Sequence, residues 1–145
     1  MITGIHPYLV LDGRGQEAIN FYKEALDAEI TELHTFDDMP EDPDFSLPEG
    51  AAQLVMNAQL KVCGTELFML SDIFPGMPYQ LGSQVTVALI IDEKAQAKVI
   101  FDNLKDGGEI GMELQETFWS PAYGQVTDKF GVSWQISTEQ SNHNV

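Results

Sequence analysis

A chain of 145 residues with 43% hydrophobic content carries enough apolar side chain for one core without disulfides, and its single cysteine, Cys63, allows no internal bridge. Seven lysines and arginines stand against 23 aspartates and glutamates, a formal charge of −16 that argues against nucleic acid and anionic membrane surfaces as partners. No stretch approaches the roughly 18 apolar residues of a membrane span, and MITGIHPYLVL lacks a basic n-region and a cleavage site, so the expectation is a soluble cytoplasmic protein.

The first apolar run, Ile5 to Leu11, reads as a strand, with Pro7 near its start where a ladder donor is not needed. From Gln16 to Leu26 the apolar residues Ala18, Ile19, Phe21, Tyr22, Ala25 and Leu26 recur at helical spacing. Ala28 to Phe36 is a second strand, closed by the acidic, proline-marked stretch Asp37 to Glu49, whose composition favours a solvated loop that could cover a binding cleft. Ala52 to Val62 and Glu66 to Leu70 form a hairpin that turns at Gly64. Cys63 sits within the apolar run LKVCGTELFML and is expected to be buried and inert.

The order then repeats. Gln84 to Ile91 reads as a strand, Glu93 to Leu104 as a helix ended by Gly107 and Gly108, Glu113 to Trp119 as a strand running into SPAYG, and Gln125 to Asp128 with Val132 to Ser137 as a closing hairpin. The tail SNHNV has no periodicity and reads as frayed. A step of 80 residues carries Asp12 to Asp92, Phe21 to Phe101, Glu29 to Glu109 and Ile30 to Ile110. Such self-similarity marks a duplicated unit. The fold class is therefore α+β, two tandem βαβββ modules over residues 1–72 and 83–138, within one domain spanning 1–145.

The segments PYLVLDGRGQEAINFYKEAL, VMNAQLKVCGTELFMLSD and FWSPAYGQVTDKFGVSWQIS resemble the PhnB-like branch of the glyoxalase, bleomycin-resistance and extradiol-dioxygenase (vicinal oxygen chelate) superfamily. The resemblance spans nearly the whole chain. It implies curled mixed sheets, assembly as a homodimer and, in the superfamily's enzymes, a divalent metal held by His and Glu side chains on the first and fourth strands of each module. A step of 67 from Gly64 to Gly131 carries Phe68 to Gln135, and the step of 80 carries His6 to Thr86, so the equivalent quartet reads His6, Phe68, Thr86 and Gln135. One imidazole among neutral groups makes a poor metal site, and Asn57 stands where such proteins often carry a His. The expectation is no metal and no cofactor, with His6 a partly buried, hydrogen-bonded strand residue and His34 and His143 at the surface.

No serine lies in a Gly-x-Ser-x-Gly turn, and Cys63 has only Lys61 near it in sequence, so neither supports a nucleophile. The methyltransferase label that some PhnB-like chains carry finds no doubly wound, glycine-rich pattern here. What remains is a small-molecule binder whose ligand would meet His6, Asn57, Gln59, Phe68, Thr86, Trp119, Tyr123 and Gln135. Two rivals stand beside it: a metal-dependent lyase, isomerase or dioxygenase-type enzyme, and an acidic dimer that sequesters basic drugs.

Overall fold

In the computed structural model, which describes residues 1–139, the chain divides into two compact units, Met1–Gln80 and Leu81–Val145. The tail from Ser141 to Val145, with His143, lies outside the described residues. Unit 1 runs β1 (Tyr8–Leu11), α1 (Gly15–Ala25), β2 (Glu29–Thr35), a short 3-10 turn (Phe36–Asp38), β3 (Val55–Val62) and β4 (Glu66–Asp72). Unit 2 runs β5 (Val87–Ile91), α2 (Lys94–Lys105), β6 (Glu109–Gln115), β7 (Tyr123–Thr127) and β8 (Ser133–Thr138). Each is an open four-stranded mixed sheet, ordered β1-β4-β3-β2 and β5-β8-β7-β6. The first strand of each unit is parallel to the last, and the other pairs are antiparallel.

Each helix covers one face of its own sheet. On α1, Ala18, Ile19, Tyr22 and Ala25 are buried, the spacing of a single helical stripe, and Tyr22 meets the ring of Phe68 edge-on at 5.7 Å between centroids. Leu9, Leu11, Leu60 and Leu70 complete that core. In unit 2 the stripe is Ala97, Phe101 and Leu104, and the sheet residues buried beneath it include Val126, Trp134 and Ile136. Each large side chain so buried contributes about 2 kcal/mol. Gly124 is required beneath α2, because a Cβ there would lie 2.8 Å from Phe101 Cε2 and 3.1 Å from the Met112 carbonyl.

The duplication is not gapless. In the strands Leu9 pairs with Leu70 and Leu89 with Ile136, which keeps the 80-residue step from β1 to β5 but makes the step from β4 to β8 66 residues, not 67. The helices are offset by 79, since the buried Ala18, Tyr22 and Ala25 answer to Ala97, Phe101 and Leu104. Tyr22, not the half-buried Phe21, is therefore the counterpart of Phe101. One residue is missing before α2 and one is added after it, so residue matching that ignores burial rotates the helix.

Some boundaries also move. The first strand begins at Tyr8, although the Pro7 carbonyl still accepts a hydrogen bond from Met69 N at 3.0 Å. The sixth strand is Glu109–Gln115, and Trp119 belongs to the following turn, where Thr117 N donates to the Ser120 carbonyl at 2.9 Å. Cys63 is exposed rather than buried: it and Gly64 take φ of +48° and +75° at the tip of the β3–β4 hairpin, which turns the thiol outward. An apolar run crossing a hairpin includes its tip, and the tip has no core to face.

Candidate functional site

Paired residues on neighbouring strands share a face, so the register separates the helix-covered side of each sheet from the other. In unit 1 the uncovered face carries Tyr8, Met69, Gln59 and Glu32 in one row and Val10 with Ser71 in the next, while Asn57 pairs with His34 at the β2 edge. Tyr8 and Val10 remain 46% and 43% exposed there. His6 precedes the strand and is exposed, not partly buried. Phe68 lies on the opposite face, under α1. By the corrected step of 66 the counterpart of Gln135 is Met69, so the equivalent quartet is His6, Met69, Thr86 and Gln135.

Unit 2 brings four of the expected residues together. Tyr123 Oη donates to Gln135 Oε1 at 2.6 Å, and Gln135 Nε2 donates to Thr86 Oγ1 at 2.9 Å. Gln125 Nε2 completes the chain by donating to Tyr123 Oη at 3.1 Å. Tyr123 is buried, and Trp119 meets its ring edge-on at 5.3 Å, with Phe118 on Trp119 in turn at 4.7 Å. The result is a run of uncharged donors and acceptors beside an aromatic wall, with Trp119 47% exposed. Gln125 was missed in the sequence, yet it stands two residues from Tyr123 on the same strand, and strand alternation puts both on one face.

The motif residues carried by the family resemblance hold backbone. Asp128, 3% exposed, accepts from Phe130 N at 2.9 Å, Val132 N at 3.1 Å and Trp134 Nε1 at 2.8 Å, which fixes the β7–β8 turn to the core tryptophan. Gly131 in that turn has φ +89°. Asp72, equally buried, accepts from Gly15 N at 2.8 Å and Val55 N at 2.9 Å, joining the start of α1 to the start of β3. Ser120 is fully buried, its hydroxyl donating toward the Ala122 and Thr138 carbonyls, and is no nucleophile.

A divalent metal of the kind the family resemblance implies would meet a poor donor set at the equivalent positions: an imidazole, a thioether, a hydroxyl and an amide. Two of these, Thr86 and Gln135, are already bonded to each other. Among the described residues no three His, Cys, Asp or Glu cluster in a way that could hold an ion. The acidic loop folds back on Phe74, against which Phe36 and Phe45 pack at 5.3 and 6.2 Å between centroids. A hollow of about 520 Å³ opens there, walled by Phe36, Phe45, Asp37, Glu41 and Asp42.

The profile of the family described as 3-demethylubiquinone-9 3-methyltransferase matches residues 3–137. Among solved structures, protein PA1353 from Pseudomonas aeruginosa is 34% identical, with 97% of this chain and all of that one covered at a TM-score of 0.85. A putative 3-demethylubiquinone-9 3-methyltransferase, PhnB protein, from Bacillus cereus is 25% identical over 94% of this chain and 99% of that one, TM-score 0.77. A glyoxylase/bleomycin resistance protein/dioxygenase domain from Frankia sp. EAN1pec shares the fold alone, at 14% identity, 99% and 96% coverage and TM-score 0.69. With a family profile spanning both βαβββ units, the chain is PhnB-like, has the fold of a glyoxylase/bleomycin resistance protein/dioxygenase domain, and belongs to the family described as 3-demethylubiquinone-9 3-methyltransferase.

Proposed function

We propose that this chain is a metal-free binding protein for an uncharged small molecule and that it works as a homodimer in the cytoplasm. The observation carrying this reading is the Gln125–Tyr123–Gln135–Thr86 network beside Trp119. Its members hold no formal charge, so a charged ligand group would lose hydration there without a countercharge. An exposed indole edge suits a flat ligand body, and the amide and hydroxyl groups suit carbonyl, hydroxyl or amide substituents on it. In unit 1, taken by itself, the counterparts of Gln125 and Gln135 are Gln59 and the pliable, apolar Met69, so this reading assigns recognition to unit 2. Methyl transfer is no part of this reading, since neither sheet is the doubly wound parallel kind that cradles a nucleotide-bearing cofactor at a glycine-rich turn.

The test is native mass spectrometry and metal analysis of protein purified without chelator. The expected result is a dimer with a co-purifying neutral molecule that is lost in Tyr123→Phe. Stoichiometric divalent metal bound through His6 would overturn it in favour of a metal-dependent enzyme. A second reading, sequestration of a basic drug, rests on the hollow of Phe36, Phe45, Asp37, Glu41 and Asp42, where aromatic faces and carboxylates together suit a cation. Calorimetric titration with a cationic glycopeptide tests it, and the absence of heat at micromolar ligand removes it.

A further inference from the structure

The hydrogen bonds among Gln125, Tyr123, Gln135 and Thr86 all run in one direction. Gln125 Nε2 donates to Tyr123 Oη at 3.1 Å, which leaves the tyrosine proton for Gln135 Oε1 at 2.6 Å. With its oxygen so held, the Gln135 amide turns its nitrogen toward Thr86 Oγ1, 2.9 Å away. Thr86 therefore accepts, and its own proton finds no acceptor among the described residues. The second proton on Gln135 Nε2 is spare as well, since an amide nitrogen carries two. Groups bonded in series polarise one another along the direction of donation, which makes the terminal hydroxyl a better donor.

These two spare donors stand at a gap in the side chains of β5. Gln135 pairs with Ala88 and Ser137 with Ile90, so β5 shows Ala88 and then Ile90 on this face, with Thr86 ahead of them. Thr86 and Ile90 are about 13 Å apart at the usual strand rise, and on this face of β5 only the exposed Ala88 methyl stands between them. Ile90, 62% exposed, closes the far end with an apolar side chain. In a chain of 7 basic and 23 acidic residues, β5, β7 and β8 contain no charged residue at all. The same place in unit 1 is shut: by the steps of 80 and 66, Tyr8 and Met69 pair where Ala88 and Gln135 do, so a phenol ring fills the gap and a thioether replaces the N–H donor.

We propose that Thr86 and Gln135 hold the carbonyl oxygen of the ligand and that Ala88 is the floor beneath its ring. The ligand class is a neutral carbonyl compound one ring wide, an aryl ketone, cyclic ketone or amide, that presents an acceptor at this point. The Thr86 O–H and the spare Gln135 N–H donate to the two lone pairs of that oxygen, and Ile90 meets the far edge of the ring. A ligand bringing a hydroxyl or amine proton to the same point sets donor against donor. A carboxylate would lose its hydration on strands that hold no countercharge. This assignment rests on the network being the binding element proposed above, and it adds which end of the network the ligand meets and with what polarity.

The experiment is a titration of the full 15N-labelled chain with acetophenone, phenol and sodium benzoate, which share a ring and differ in offering a carbonyl, a hydroxyl and a carboxylate. Acetophenone should give saturable shifts of the Ala88 and Ile90 amides and of the Gln135 side-chain NH2, phenol weaker ones and benzoate none. Ala88→Tyr copies the residue that unit 1 carries at this place and should abolish the acetophenone response. Thr86→Val keeps the shape and should weaken acetophenone about tenfold, the loss of one hydrogen bond. The proposal is overturned if phenol binds as tightly as acetophenone, if Ala88→Tyr or Thr86→Val binds acetophenone as the parent does, or if acetophenone gives no saturable shift. In each of those cases the reading beneath it is judged separately, by whether a co-purified neutral molecule is lost in Tyr123→Phe. Should Ala88→Tyr fail to fold, Thr86→Val decides alone.

Discussion

Unit 1 and unit 2 share a packing scheme and differ in where they keep a buried carboxylate. Unit 1 places Asp72 at the end of its last strand, where it binds the helix start, and leaves Cys63 and Gly64 to turn the β3–β4 hairpin. Unit 2 places Asp128 in the equivalent hairpin, where it binds two turn amides and the Trp134 indole, and has only Thr138 at the helix start. Apolar positions under the helices tolerate little change because each fills volume against several neighbours. Polar anchors are free to move between units so long as each finds its donors. The lesson is that duplication preserves the core and redistributes the polar joints, so the two units need not offer a ligand the same chemistry.

The largest expected effect breaks the unit 2 anchor. Asp128→Ala removes three hydrogen bonds to a buried carboxylate, a loss of about 4.5 kcal/mol at roughly 1.5 kcal/mol for each. Urea unfolding with Trp fluorescence reads it directly. Asp72→Ala removes two and should cost about 3 kcal/mol on the same scale. If Asp72→Ala proves the costlier of the two, the helix start rather than the closing hairpin is the more demanding joint. Gly15→Ala comes next: the new Cβ would stand 2.6 Å from Asp72 Oδ2 and 2.8 Å from Val55 Cγ2, an overpacking of about 2 kcal/mol. At its counterpart Lys94 a side chain is already accommodated, and it is exposed.

Much of this was legible before any coordinates. Helical and alternating periodicities depend on which side chains are apolar, and these gave both helices and the order of all eight strands. The off-by-one steps were not legible, because matching Phe21 to Phe101 and Gly64 to Gly131 compares residue types. The burial of Tyr22, not of Phe21, and the pairing of Leu70 with Leu9 compare positions. From that single slip came Phe68 in place of Met69. Thr86 and Gln135 entered the candidate set through the duplication steps from His6 and Phe68, and Trp119 and Tyr123 through the aromatic loop; the fold joins the two sets through Gln135, which bonds to both Thr86 and Tyr123. Asp72 and Asp128 were noticed as motif residues; the partners of Asp128 lie two to six residues on, in its own hairpin, whereas those of Asp72 are backbone amides 57 and 17 residues away, which no local pattern reveals.

The smallest expected effect tests whether the unit 2 network is a binding element or part of the scaffold. Tyr123→Phe removes one hydroxyl that donates to Gln135 Oε1 and accepts from Gln125 Nε2. The two glutamines lie on paired strands and are partners in register, so they can turn toward each other and recover one bond. The loss in stability should then be about 1 kcal/mol, the net worth of a neutral hydrogen bond. A scaffold role would show a larger loss in urea unfolding and a disturbed Trp119 environment, because its ring packs against that tyrosine. A binding role predicts a small stability change and a clear drop in the amount of co-purified ligand. Gln59 and Met69 occupy the corresponding row in unit 1 without any hydroxyl between them, so Met69→Leu should leave both readouts near the parent values. A ligand loss confined to Tyr123→Phe would then locate recognition in the unit whose polar groups diverged.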